Sequence, residues 1–268
     1  MIILAKSAGF CFGVRRAVEK LSDESEKSKV ATLGPIIHNK DVVNAFEKKG
    51  VKAYDSVDEI GQDTKIAIRA HGVGKSVIDE IKSRGFEYVD LTCPFVNKIH
   101  GIVMEKYKNG YQIVIIGDKN HPEVEGINGW CENNAVIALD IPELNGKINI
   151  CEPVCVVCQT TMNREVCEKI IKYLKSTCKT IEVFDTICNA TNTRQTEAGE
   201  IAKKADMMIV IGGAHSSNTN KLTGICKKYC KNTYQIENFE DFPQDIYIPK
   251  IIGITAGAST PAAIIKEV

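Results

Sequence analysis

Three cysteines share one recurring setting. SAGFC ends at Cys11, VDLTC at Cys93 and FDTIC at Cys188, and each closes a strand-like stretch and opens a helix-like one. At a helix start the macrodipole and the free amides favour thiolate over thiol. Three such thiolates suit an iron–sulfur cubane. The usual cluster takes four cysteines, so a missing fourth leaves one iron open as a Lewis acid. The competing reading is three small residues at tight strand–helix junctions, and the repetition of the setting favours metal.

The chain has 11 cysteines, which in a reducing compartment are expected to bind metal or react rather than form a disulfide framework. A rival run, Cys151-x3-Cys155-x2-Cys158, matches the spacing of a radical-SAM cluster loop. However, Val154–Val157 reads as the middle of a buried strand, where alternate cysteines face opposite sides of a sheet. Core positions are expected there. Cys226 and Cys230 have helical i,i+4 spacing and could chelate zinc, but no further pair at zinc-finger spacing accompanies them. Cys131, Cys167 and Cys178 read as ordinary core or surface residues.

A second group of residues suggests an anion pocket. His38, His71 and His121 each sit in a predicted strand-end loop; His100 and His215 complete the histidines. Ser216, Ser217 and Asn218 open a helix, and Ser259 and Thr260 follow a Gly-Ala-rich turn. Hydroxyls, amides and helix N-termini aimed at one point make a phosphate-type site. No Walker loop or G-x-G-x-x-G motif points to ATP or NAD. An anionic cluster beside a diphosphate calls for cationic histidines and many N–H donors. Glu123, two residues after His121, is a carboxylate within these motifs and reads as a proton carrier, with a helix-N-terminal acid as the alternative.

The elements that must position these residues alternate between apolar strands and amphipathic helices, which predicts α/β architecture with mainly parallel strands. Strands are predicted at Lys65–Arg69, Gln112–Ile116, Val154–Cys158, Met207–Ile211 and Lys250–Ile254. Helices are marked by Val14, Val18 and Leu21 and by Val166, Ile170 and Leu174, and Gly50, Gly85 and Gly110 are placed to end helices. The order cysteine, polar loop, apolar-acidic tetrad, second polar loop occurs three times, with the tetrads VDEI from Val57, IPEL from Ile141 and FEDF from Phe239. Cys11 to Cys93 is 82 residues and Val57 to Ile141 is 84; the next intervals are 95 and 98. The expected fold is therefore three pseudo-repeated α/β units in a trefoil around a central cluster. The expected lobes are 1–90 (Cys11, His38, His71), 91–185 (Cys93, His121, Thr160) and 186–268 (Cys188, Ser216, Ser259).

Composition bounds the partners. Basic and acidic residues balance at 34 each over 268 residues, so no global field draws nucleic acid or a membrane surface. MIILAKSAGF lacks a signal-peptide core, and a cytoplasmic location is the expectation.

The sequence resembles the 4-hydroxy-3-methylbut-2-enyl diphosphate reductase family, the last step of the methylerythritol phosphate route to isoprenoids. The resemblance rests on GFCFGVRRAVE at 9–19, GPIIHN at 34–39, HGVG at 71–74, TCPFVNKIH at 92–100, HPEVEG at 121–126, QTT at 159–161, DTICNATNTRQ at 185–195, SSNTNKL at 216–222 and TAGAS at 255–259. It implies an iron–sulfur oxidoreductase with a [4Fe–4S] cluster held by Cys11, Cys93 and Cys188. The implied substrate is a small allylic diphosphate, reductively dehydroxylated to isopentenyl and dimethylallyl diphosphates. By the same resemblance, His38, His71, Ser216, Ser217, Asn218 and Ser259 hold diphosphate, with Asn189 also among the substrate-binding residues. His121 lines the site, Thr160 orients the hydroxyl and Glu123 relays protons. Ferredoxin or flavodoxin is the implied electron donor. Relatives usually run somewhat past the position of Val268, some of them into RNA-binding repeats. Three-cysteine enzymes of the quinolinate synthase or diphthamide type share the architecture but not HPEVEG, QTT and SSN together. A non-enzymatic redox carrier would leave the anion pocket without a purpose.

Overall fold

The computed structural model describes residues 1–242 and 247–268. In chain order the first elements are β1 (Ile2–Leu4), α1 (Phe12–Ser25), β2 (Val30–Leu33), α2 (Lys40–Lys48), β3 (Lys52–Tyr54), β4 (Lys65–Ile68), α3 (Lys75–Ser83) and β5 (Tyr88–Asp90). The middle of the chain supplies α4 (Pro94–Lys108), β6 (Gln112–Ile116), α5 (Pro122–Asn128), β7 (Val136–Ala138), β8 (Val154–Cys158), α6 (Arg164–Thr177) and β9 (Ile181–Val183). The last are α7 (Asn189–Ala202), β10 (Met207–Ile211), α8 (Ser217–Tyr229), β11 (Thr233–Ile236), β12 (Ile252–Ala256) and α9 (Ala262–Glu267). No helix among the described residues is long and apolar enough to cross a membrane.

The local rules explain these boundaries. After α2, α3 and α4 the chain turns on Gly50, Gly85 and Gly110 at φ +88°, +75° and +78°. In each case the next amide reaches back five residues: Val51 to the Phe46 carbonyl, Phe86 to Ile81 and Tyr111 to Lys106. That bond closes a helix end around a left-handed residue, which only glycine adopts at no steric cost. Each apolar-acidic tetrad contains a single 3₁₀ turn, at Val57–Glu59, Pro142–Leu144 and Phe239–Asp241.

The strands form three four-stranded parallel sheets ordered β3-β2-β4-β5, β7-β6-β8-β9 and β11-β10-β12-β1. The three orders are one topology. In each, the strand preceding a cysteine is the edge strand beyond the one that leads to the second polar loop. The third copy is completed by the N-terminus: β1 pairs with β12 in the register Ile2 to Ile252.

Packing divides the chain into two compact units. One comprises Met1–Arg15, Ile37–Ala45 and Asn189–Val268, and the other Arg16–Ile36 and Phe46–Cys188. The first holds the β1-containing sheet. On one face of that sheet Met208 and Val210 pack with Ala198, Leu222 and Cys226. On the other, Ile209 and Ile211 pack with Ile264. The second unit holds the other two sheets. Strands buried on both faces read as continuous apolar runs, as VCVVC in β8 does.

Strand alternation settles the rival cysteine run. Cys155 faces Ile99, Val103 and Val124, whereas Cys158 faces Cys167, Ile170 and Leu174 on the opposite side. Cys151 is exposed. Burial pushes the Cys155 thiol up to about 12. The neighbouring Cys167 thiol, together with burial, raises Cys158 further. Neither presents a thiolate. Cys155→Ala and Cys158→Ala are expected to leave iron content unchanged and to cost about 1–3 kcal/mol in packing, measured by metal analysis and urea unfolding.

Candidate active site

Each cysteine of the recurring setting is held by the same backbone bond. The amide of Cys11 donates to the Ala258 carbonyl at 3.1 Å, Cys93 to Ala70 at 2.9 Å and Cys188 to Thr160 at 3.0 Å. The acceptors lie two residues past the ends of β12, β4 and β8, so the equivalence extends to single atoms. All three cysteines are half-buried, whereas seven of the other eight are buried. The Val14 amide, in the first turn of α1, donates to the Cys11 sulfur at 3.4 Å. A helix-start N–H aimed at sulfur suits a thiolate ligand, so the donor set fits a cluster.

Within the unit containing Cys93 and Cys188, the polar loops form a continuous chain of contacts. Cys93 is bonded to Ala70, next to His71. The His71 ring meets His121 edge-on at 5.5 Å between centroids. His121 caps α5, its Nδ1 accepting from the Glu123 amide at 3.1 Å. Glu123 is 2% exposed, and both its oxygens are directed at Thr160. The Thr160 amide donates to Oε1 at 2.6 Å and the Thr160 hydroxyl to Oε2 at 2.7 Å. The Thr160 carbonyl receives Cys188, which closes the sequence of contacts.

Glu123 lies in the first turn of α5, and its carboxylate clamps a threonine 37 residues away. The Nδ1 of His121 is taken up as an acceptor in this cap, which leaves Nε2 as its other polar atom.

In the other unit, Ser216 caps α8 by accepting from the Thr219 amide at 3.3 Å. Asn218 is 5% exposed, and neither its amide oxygen nor its nitrogen has a hydrogen-bond partner among the described residues. Such orphans are costly unless a ligand or water satisfies them. The helix start is therefore built to receive polar atoms. The Ser259 hydroxyl donates to the His38 carbonyl at 3.1 Å, and Asn189, the first residue of α7, is exposed.

Two residues with no role assigned from sequence hold these loops. Gln159 is fully buried; its Oε1 accepts from the Asp118 amide at 3.2 Å and its Nε2 donates to Thr161 Oγ1 at 3.1 Å. The Arg194 guanidinium donates to the Gly9 carbonyl at 2.7 Å, bracing the turn before Cys11. Their one signal in the sequence is a polar side chain at an otherwise buried position.

The family model described as LytB protein matches residues 2–268. The chain belongs to the LytB family. Among curated relatives, the 4-hydroxy-3-methylbut-2-enyl diphosphate reductase of Caldanaerobacter subterraneus subsp. tengcongensis is 48% identical, over 100% of this chain and 94% of the relative. That of Clostridioides difficile is 46% identical, over 100% and 97%. Among solved structures, a (E)-4-hydroxy-3-methyl-but-2-enyl diphosphate reductase, described as the terminal enzyme of the non-mevalonate pathway, has 40% identity and a TM-score of 0.73. It is matched over 100% of this chain and 96% of that one. The Plasmodium falciparum E-1-hydroxy-2-methyl-but-2-enyl-4-diphosphate reductase matches with a TM-score of 0.94 at 29% identity, over 99% and 86%. The three-sheet α/β architecture is thus that of LytB reductases.

Proposed function

We propose that this chain reduces 4-hydroxy-3-methylbut-2-enyl diphosphate, taking two electrons and two protons to release water and form isopentenyl and dimethylallyl diphosphates. The observation that carries the reading is the buried Glu123–Thr160 pair. It joins an acid to a hydroxyl on the residue whose carbonyl receives the Cys188 amide.

Cys11, Cys93 and Cys188, one from each expected lobe, would hold a [4Fe–4S] cluster. When bound, such a cluster supplies single electrons and an iron open to an oxygen ligand. The chain's own residues do the rest. His38, His71, Ser216, Ser217, Asn218 and Ser259 bind the diphosphate, with Asn189 at the α7 start. His121 offers Nε2 to the site. Thr160 orients the substrate hydroxyl, and Glu123 releases a proton toward it. Ferredoxin or flavodoxin supplies the electrons.

Anaerobic incubation of the reduced, iron-loaded protein with the hydroxylated diphosphate tests this reading. The two C5 diphosphates are expected as products. Intact iron with no product would return the chain to the redox-carrier reading.

A further inference from the structure

The three residues after His71 are gripped from two sides by groups outside the site described above. Gly72 lies at φ +74°, and a Cβ there would sit 2.6 Å from His100 Cε1 and 3.0 Å from Thr92 Cγ2. His100 is 3% exposed, on α4, seven residues after Cys93. Its ring stacks on Trp130, with centroids 5.1 Å apart and planes at 19°. The Trp130 indole N–H donates to the Val73 carbonyl at 3.0 Å. A Cβ on Gly129 would come within 2.5 Å of the Gly74 Cα, and one on Gly126 would lie 3.5 Å from Gly72 C and O and from Val73 N. The 72–74 backbone therefore rests on α4 through His100, on α5 through Gly126, and on the 3₁₀ turn after α5 through Gly129 and Trp130.

Neither nitrogen of His100 has a hydrogen-bond partner among the described residues, and burial pulls its pKa down to about 4. At neutral pH the ring is uncharged and acts by shape alone. Trp130 adds the one directional bond. Cys93 caps the start of α4 and His121 that of α5, whose second residue is Glu123, so the loop is set against both elements.

We infer that His100 and Trp130 are a positioning pair for the His71 loop. A ligand held by His71 is then sensed at Trp130. This rests on the reading above that His71 holds diphosphate. Loop-borne binding groups lose affinity when their support is loosened by fractions of an ångström.

Trp130 is the chain's single tryptophan, so its emission reports on this loop. The test is titration of the cluster-loaded protein with inorganic diphosphate, followed by calorimetry and by Trp130 fluorescence. In the wild type, diphosphate is expected to shift the emission. His71→Ala should weaken binding and lose the shift. Trp130→Phe keeps a ring against His100 but removes the bond to Val73. Its diphosphate Kd should rise about three- to tenfold, the equivalent of one neutral hydrogen bond, with the iron content unchanged. His100→Met, which fills the space with a flexible chain, should weaken binding comparably. Loss of stability with unchanged diphosphate affinity in both Trp130→Phe and His100→Met would make the pair ordinary packing and overturn the inference. So would silent Trp130 emission in a wild type whose binding His71→Ala abolishes. If His71→Ala binds diphosphate normally, the reading of His71 fails, and the inference falls with it.

Discussion

Replacing any one of Cys11, Cys93 or Cys188 by serine is expected to abolish turnover and remove the visible absorption of the cluster. A hydroxyl remains protonated at neutral pH and is a hard, poor ligand for iron, so each substitution leaves two thiolates for four irons. The fold should survive. Each cysteine is half-buried, and its tie to the sheet runs through the backbone amide, which serine retains. Far-UV circular dichroism should therefore be unchanged while iron per chain drops to a small fraction. Cys155→Ala provides the contrast: its thiol is held protonated by burial, and removing it should cost stability without iron. Loss of iron from Cys155→Ala, with Cys93→Ser keeping its cluster, would falsify the ligand assignment.

His100 affords a test that needs no cluster. With its pKa lowered from 6.5 to about 4 by burial, the folded protein binds fewer protons than the unfolded chain between those values. Its contribution is fully present above pH 6.5 and is lost as the pH falls toward 4, by at most roughly 3 kcal/mol. His100→Leu should flatten that part of the urea-unfolding pH profile relative to wild type. Parallel profiles would show that His100 takes up its proton as readily in the fold as in the unfolded chain.

Much of this architecture could be read from the residues. Apolar runs such as QIVII and VCVVC have the length and β-branched content of buried parallel strands, and Gly50, Gly85 and Gly110 mark helix ends because only they take the left-handed turn cheaply. Alternation within β8 already separated Cys155 from Cys158. What stayed hidden depends on long-range pairing or on hydrogen-bond direction. The pairing of β1 with β12 joins residues about 250 positions apart, and strand patterning carries no information about which edge a strand completes. The acceptor role of His121 Nδ1 is set by the amide of Glu123 two residues on, which the residue types alone do not record. Gln159 and Arg194 act on backbone atoms of other loops, so no side-chain motif records their roles. Glu123 at the second position of a helix is indistinguishable, by sequence, from an acid placed there to suit the dipole.

Its contacts decide how the Glu123→Gln variant should behave. Expelling hydroxide beside an anionic cluster and diphosphate is unfavourable, so a proton must reach the oxygen as the C–O bond breaks. General acids of this kind contribute about 10²–10⁴-fold. Thr160 can transmit the proton because a hydroxyl both accepts and donates. Once Glu123 has taken up a proton, the 2.7 Å bond runs the other way: the acid donates to Thr160 Oγ1 while the threonine hydrogen passes on to the substrate. Glutamine can preserve the geometry of this pair: its carbonyl accepts from the Thr160 amide, where Oε1 now sits at 2.6 Å, and its NH₂ donates to Oγ1 in place of the 2.7 Å bond. The Thr160 hydroxyl, now accepting from the amide instead of donating to Oε2, is left with its one hydrogen for the substrate, so diphosphate affinity and iron content should stay near wild type. The amide cannot release its proton, and turnover should drop by at least about 10². A purely structural Glu123 predicts the opposite pattern, since glutamine keeps both contacts and the rate would hold. Thr160→Val separates the two further: it breaks the relay but leaves Glu123 in place, bonded to the backbone amide at 160. If Glu123 works through Thr160, the two variants should slow turnover by similar factors and the double variant by little more than either alone. Independent, multiplying losses would place the proton on another route.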